Sequence, residues 1–230
     1  MANPVQLRDL PRPDRLELEI NPVHPLLVTD DGSKFTLQFA EALQNVGWPL
    51  QLVQTPYLSE DPRELPTDLS RLRIDSEDTD DMQQQLSREA ERVGDFAGII
   101  HLHPLAFSQA RDRGIVKMTF FLAKFLAQHF KETENQPPGR KFFLTITQLD
   151  GRLGTSAAGS FQEGGGLSGL VKTFYREVPD VFCRYIDLDP SMKAEEKAAF
   201  VIRELHDPRH DLLEVGLSRQ SRVTLTLGKG

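Results

Sequence analysis

His101 and His103 are separated by one residue at the end of an apolar run, Phe96-Ala97-Gly98-Ile99-Ile100-His101-Leu102. In an extended strand alternate side chains share a side, so both imidazoles could face one metal ion. A zinc site needs a third protein ligand, and none lies nearby in the sequence. The pair therefore reads as a structural strand end. His206 and His210, with Asp207 and Asp211, have the i,i+4 spacing of a helical metal pair. Pro208 lies between them and opposes a helix, which leaves a polar turn. Gly164-Gly165-Gly166 precede a helical pattern, and a glycine loop there can cradle phosphate. Glu163 stands directly before them and no Gly-Lys-Ser or Gly-Lys-Thr follows, so close packing of helix on sheet is the expected use. Cys183 is the sole cysteine, which excludes an intramolecular disulfide and a cysteine-built zinc site and fits a reducing cytosol. No metal site is expected.

The elements that must position these groups alternate in type. Pro25-Leu26-Leu27-Val28-Thr29 is a compact apolar run, suited to a buried strand. Phe35, Phe39, Ala42, Leu43 and Val46 share one helical face, and Gly47 ends that helix. Trp48 to Val53 is a second strand. The rhythm then breaks in an acidic, proline-containing loop over 56–81, with a short strand expected at Leu72–Ile74. Met82 to Val93 is a polar helix that Asp80 or Asp81 could cap. Strands follow at Phe96–Leu102, Lys141–Thr147 and Val181–Leu188. Helices are expected at Gln109–Lys131, Gly165–Glu177 and Ser191–Leu205, the last capped by Ser191. Leu212–Leu217 and Arg222–Leu227 close the chain as strands. Residues 1–21 read as a linker with an edge strand at Arg15–Ile20, and 22–230 as a single domain. The alternation predicts an α/β fold: a doubly wound, mostly parallel Rossmann-like sheet.

Composition narrows the function class. The 230 residues are 39% hydrophobic and include 14 Phe, enough for a packed core and too apolar for a disordered chain. Lys and Arg number 27 against 34 Asp and Glu, a net charge of −7, which argues against a nucleic-acid partner. The most apolar helix, Ile115–Phe130, carries Lys117, Lys124 and Gln128 and falls short of the ~20 apolar residues of a membrane span. No targeting signal opens the chain, and a cytoplasmic protein is expected.

The second half carries a distinctive run: Gly169, Leu170, Lys172, Thr173, Glu177 and Pro179, then Phe182-Cys183-Arg184-Tyr185-Ile186-Asp187-Leu188-Asp189-Pro190, then Glu214-Val215-Gly216 and Arg222-Val223-Thr224-Leu225. It resembles the ketoreductase region of modular polyketide synthases, most of all the branch in polyunsaturated-fatty-acid synthases, within the short-chain dehydrogenase superfamily. The resemblance spans residues 25–227 and is most specific in the C-terminal half. Such ketoreductases are built from two Rossmann-like halves, one structural and one holding nucleotide and catalytic residues. The resemblance points to the first, a truncated, cofactor-free half.

The resemblance also says which groups to look for. A dehydrogenase of this superfamily places three glycines after its first strand, so that the backbone can approach the pyrophosphate. Those positions here hold Asp30, Lys34 and Thr36, and Gly32 falls off register. Asp30 and Asp31 would set carboxylates beside phosphates. A helix cap at Ser33 or Asp31 is the expected use of the turn. The superfamily also uses a Ser at a strand end and a Tyr-x-x-x-Lys helix, where Tyr handles the carbonyl proton and Lys lowers its pKa. Gln148 stands at the Ser position, Ser160 at the Tyr position and Gly164 at the Lys position, and no Tyr-x-x-x-Lys occurs anywhere in the chain.

The resemblance thus implies a non-catalytic structural subdomain that packs against an NADPH-binding catalytic half. That half would reduce a β-ketoacyl group on an acyl carrier protein. No enzyme activity and no cofactor are expected of this chain alone. The proline-rich opening and the close at Leu227–Gly230, where the family's second half would begin, read as a piece of a larger multienzyme. The alternative is a free-standing NAD(P)-dependent oxidoreductase with a degenerate cofactor loop. The helix at 109–131, rich in Phe, would supply any dimer contact.

Overall fold

A computed structural model describes residues 5–20, 22–57, 66, 69–104, 109–132, 139–156 and 164–228. Among these residues nine strands form one sheet in the order β1-β9-β8-β7-β6-β5-β2-β3-β4. The strands are β1 (Val5–Asp9), β2 (Leu26–Thr29), β3 (Leu50–Gln54), β4 (Arg71–Arg73), β5 (Gly98–Leu102), β6 (Lys141–Thr147), β7 (Val181–Leu188), β8 (Glu214–Leu217) and β9 (Arg222–Leu227). β2 to β8 pair in parallel. β9 is antiparallel to β8, and β1 is antiparallel to β9. The mostly parallel, doubly wound sheet expected from the alternation is therefore present.

Among the described residues five helices flank it: α1 (Lys34–Asn45), α2 (Thr79–Val93), α3 (Gln109–Glu132), α4 (Gly164–Glu177) and α5 (Ala194–Leu205). The two faces of each strand feed two cores, because neighbouring strand residues point to opposite sides. Leu26, Val28, Ile100, Leu144, Ile186 and Val215 pack with Phe39 and Leu43 of α1 and Val201 of α5. Leu27, Ile99, Phe143 and Cys183 pack with Leu86 of α2, Leu122 and Leu126 of α3, and Val171 and Phe174 of α4. Burial on both faces explains why the central strands read as unbroken apolar runs. Gly98 lets β5 and β6 approach: a Cβ there would stand 2.1 Å from the Phe142 carbonyl oxygen. Among the described residues no helix is long and apolar enough to cross a membrane.

Some boundaries differ from the sequence reading, each for a local reason. The edge strand lies at Val5–Asp9, not at Arg15–Ile20. The alternation of Arg15–Ile20 instead marks a strap over α5. The Leu16 amide donates to the His206 carbonyl at 2.8 Å, and Leu18 and Ile20 pack on the core beneath. Alternation reveals a half-buried segment but not what it pairs with. α2 begins earlier than expected, because Asp78 rather than Asp80 or Asp81 accepts the first amides, those of Asp80 and Asp81. α5 begins at Ala194, not at Ser191. The Lys193 amide donates to Glu196 at 2.8 Å, while the Ser191 amide is turned onto Asp189. The short strand in the 56–81 stretch sits at Arg71–Arg73, one residue before its expected place. Residues 58–65 and 67–68 of that stretch lie outside the described residues.

The motif Phe182-Cys183-Arg184-Tyr185-Ile186-Asp187 contains two charges inside an otherwise apolar, fully buried strand. Arg184 meets Glu204 at 2.7 Å and Asp207 at 3.0 Å. Arg222 meets Glu204 at 2.7 Å and also pairs with Asp207. All four residues are buried. Arg222 further donates to the Pro11 carbonyl at 3.0 Å, which fastens the N-terminal strap to the cluster.

Cys183 lies on the opposite face from this cluster and is wholly buried. Burial pushes its thiol pKa up to about 12. The thiolate is the reactive form, so the folded chain is expected to resist iodoacetamide and the urea-unfolded chain to react at once. Labelling of the native chain at the rate of a free thiol would contradict this placement.

Candidate functional site

Strand order reverses between β2 and β5, and the crevice above their C-terminal ends is where such sheets bind ligands. The β2–α1 turn forms one wall. Its donors converge on a carboxylate from the chain itself. Asp31 accepts from the Ser33 amide at 2.8 Å, the Ser33 hydroxyl at 2.9 Å and the Thr36 hydroxyl at 2.6 Å. The Asp31 amide in turn donates to Thr36 Oγ1 at 3.1 Å. Asp30 accepts from the Gly32 amide at 2.9 Å, and Gly32 takes the positive φ of 77° that the turn requires. Ser33 is the N-cap, as expected, and accepts from the Phe35 amide. Lys34 is the first residue of α1.

The second wall comes from β6 and α5. Gln148 donates to Asp31 Oδ2 at 3.2 Å, while its carbonyl oxygen accepts from Lys197 Nζ at 2.5 Å. Lys197 also donates to the Pro190 carbonyl at 3.2 Å. Burial lowers the Lys197 pKa, and the Asp31 and Asp189 carboxylates oppose that shift. The result is a continuous chain from α5 through β6 to the α1 turn. Lys197 is a site residue that the sequence reading misses. Its signal lies in the apolar stripe of α5, where buried Lys197 and Glu204 share a face with Ala198, Val201 and Leu205.

A polar row lies on the α3–α4 face of the same strand ends. His101 Nδ1 pairs with Thr29 Oγ1 at 3.0 Å. His101 and His103 do point to one side, with ring centroids 5.7 Å apart. Burial first, and then His103, lower the His101 pKa well below its ordinary value, so this imidazole is neutral. Tyr185 pairs with Thr147 Oγ1 at 2.8 Å. Burial raises the pKa of that phenol, with Asp187 adding to the rise. Among the described residues no group of three His, Cys, Asp or Glu side chains could hold a metal ion.

The loop after β6 is tied down by two carboxylates. Asp187 accepts from the amides of Leu149 at 2.7 Å, Arg152 at 3.1 Å and Leu153 at 2.9 Å, and from the Thr147 hydroxyl at 3.2 Å. Asp150 accepts from the amides of Arg152, Gly154 and Ser156. Burial and the neighbouring Asp150 raise the Asp187 pKa to about 7, while the Asp150 pKa falls below the usual carboxylate range. Burial alone would raise Asp150, but its hydrogen bonds outweigh that. Leu153 adopts φ 62°, left-handed for a non-glycine residue, and Asp187 holds its amide there.

The remaining sequence candidates fall elsewhere. Gly164 is the first residue of α4, and Ser160 lies outside the described residues. Lys172 of α4 meets Glu214 at 2.8 Å. His206 follows the end of α5 and pairs with the Leu16 carbonyl at 2.9 Å, while His210 lies against the Phe182 ring. The helix ends before both, so the turn expected from Pro208 is what forms.

The architecture has close counterparts. The chain superposes over 98% of its length on an N-terminal ketoreductase from the macrolactin assembly line, covering 44% of that chain, with a TM-score of 0.60 and 13% identity. The fold is that of a short-chain dehydrogenase. A second counterpart is an adenylation, ketoreductase and pseudo Asub multidomain structure of a keto acid-selecting NRPS module. It matches 99% of this chain and 18% of that one, with a TM-score of 0.64 and 13% identity. At such identities these structures establish the fold alone. In sequence, the chain is homologous to a region of a polyunsaturated fatty acid synthase polypeptide from Thraustochytrium sp., 31% identical over 94% of this chain. It spans 8% of that relative's length. No protein-family model matches. The chain thus has the fold of the ketoreductases and is homologous to a region of a polyunsaturated fatty acid synthase polypeptide.

Proposed function

We propose that this chain is a non-catalytic structural subdomain of a synthase ketoreductase. It packs against the NADPH-binding half that reduces β-ketoacyl groups on an acyl carrier protein, and holds that half in place. The observation that carries this reading is the Asp31 carboxylate at the start of α1. A helix N-terminus attracts one anion through its free amides and positive dipole end. Here Asp31 is that anion, and Ser33, Thr36 and Gln148 are already donating to it. A pyrophosphate arriving there would face Asp31 and Asp30 with like charge and few donors left.

The position of Gln148 supports the same reading. Both ends of its amide are engaged, by Asp31 and by Lys197, so the group sits as a brace between two elements. Homology to a region of a fatty acid synthase polypeptide supports the multienzyme setting. The contact with the catalytic half would use apolar surface, and Phe120 on α3 is 49% exposed beside Ala123, Leu170 and Phe174.

Calorimetric titration of NADPH into the chain is expected to give no saturable binding up to about 1 mM. Mixing the chain with a separately expressed catalytic half is expected to raise that half's thermal midpoint. Micromolar NADPH binding accompanied by ketone reduction would overturn the proposal in favour of a free-standing oxidoreductase.

A further inference from the structure

We propose that a cavity at the β8–β9 end of the sheet, whose wall shares no residue with the β2–α1 turn, binds an organic phosphate monoester. The cavity holds about 320 Å³, within the size range of small-molecule sites. Its walls come from the Leu10–Pro13 segment, α5 and the turn between β8 and β9. The chain as a whole carries a net charge of −7, yet Arg12, Arg203, Arg219 and Arg222 all line this one space. Two carboxylates, Asp9 and Glu204, line it as well. Glu204 is turned to Arg184 and Arg222 and is satisfied there.

The guanidinium groups differ in what they have left to give. Arg222 is engaged at all three nitrogens, by Glu204, Asp207 and the Pro11 carbonyl. Arg219 is held by Glu196 and the Ser191 carbonyl through Nε and Nη2, which leaves Nη1. Among the described residues the guanidiniums of Arg12 and Arg203 have no carboxylate or carbonyl partner. Arg203 is instead held over the Phe200 ring, 5.0 Å from its centroid. Stacking fixes the plane of the fork and leaves its N–H edge to a ligand. The guanidiniums of Arg12 and Arg203 and the remaining Nη1 of Arg219, from three separate elements, line a single space. A tetrahedral dianion supplies the missing counter-charge for Arg12 and Arg203 and takes fork-like hydrogen bonds from more than one direction. Phe200, Leu10 and Leu217 add an apolar wall, which suits the body of an ester rather than a bare ion.

The test is calorimetry on the full chain with three probes: phenyl phosphate, inorganic phosphate and glutarate. Phenyl phosphate is expected to bind one-to-one with a Kd below about 1 mM, at least about tenfold tighter than either other probe. Arg12→Gln and Arg203→Gln are each expected to weaken it about tenfold. Both side chains are exposed, so thermal midpoints should hold and report that the variants fold. No saturable binding, binding unchanged in both variants, or glutarate equal to phenyl phosphate would each overturn the proposal. The outcome is independent of the scaffold reading, because dinucleotide binding at the β2–α1 turn would survive Arg12→Gln and Arg203→Gln.

Discussion

Arg184→Met is expected to lower the unfolding free energy by about 3–5 kcal/mol, measured by urea denaturation. Arg184 is completely buried and donates to Glu204, Asp207 and the carbonyls of Leu212 and Arg209. Its removal leaves two buried carboxylates facing Arg222 alone, and two carbonyls without their donor. An unpaired buried charge costs far more than the intact pair contributes. A domain of this kind has about 5–15 kcal/mol in all, so the loss approaches unfolding. Arg184→Lys should recover little, since one ammonium cannot reach four acceptors that a planar fork reaches at once. The Arg222 contact to Pro11 adds a second reading: the N-terminal strap should become protease-sensitive in the same variant. A midpoint unchanged within about 0.5 kcal/mol would show that the cluster is not closed as described.

Asp187→Asn is expected to cost about 2–4 kcal/mol and to change how stability varies with pH. The carboxylate offers two oxygens to four amides and a hydroxyl. An amide side chain offers one oxygen and turns an NH2 toward donors, leaving buried amides unsatisfied. The pH effect has a definite sign. Asp187 is raised to about 7, above the ordinary carboxylate value it regains on unfolding. Between those two values the folded chain holds a proton that the unfolded chain has released. The stabilisation is full below about pH 4 and is lost as pH rises through about 7. The slope for this one proton is at most about 1.4 kcal/mol per pH unit. Asp150 is shifted the opposite way, so its contribution is lost only in strong acid, outside that window. In Asp187→Asn the decline between pH 5 and 7 should flatten. An equally steep decline in the variant would assign the proton to another group.

The proposed site is only partly legible in the residues. The absence of glycines at Asp30, Lys34 and Thr36 can be read directly, because a glycine requirement is a property of single positions. That Asp31 gathers Ser33, Thr36 and Gln148 cannot be read, because Gln148 is 117 residues away. Lys197 is hidden for a related reason. A lysine on an apolar stripe signals a buried partner, but the partner, Gln148, lies at the end of a distant strand. The buried ion cluster shows the same limit: Arg184 in an apolar strand is visible, and its pairing with Glu204 and Asp207 at the far end of the next helix is not.

From β2 onward the order and type of the elements, and hence the doubly wound sheet, follow from the residues alone. Hydrophobic periodicity is local, and each strand and helix carries its own. Where the N-terminal residues go is set by packing at long range, with β1 closing the sheet on β9 and Arg15–Ile20 strapped over α5. Only the tertiary structure decides which polar groups satisfy one another. Hydrogen bonds and ion pairs depend on distances of about 3 Å between atoms far apart in the chain, and no local pattern encodes them.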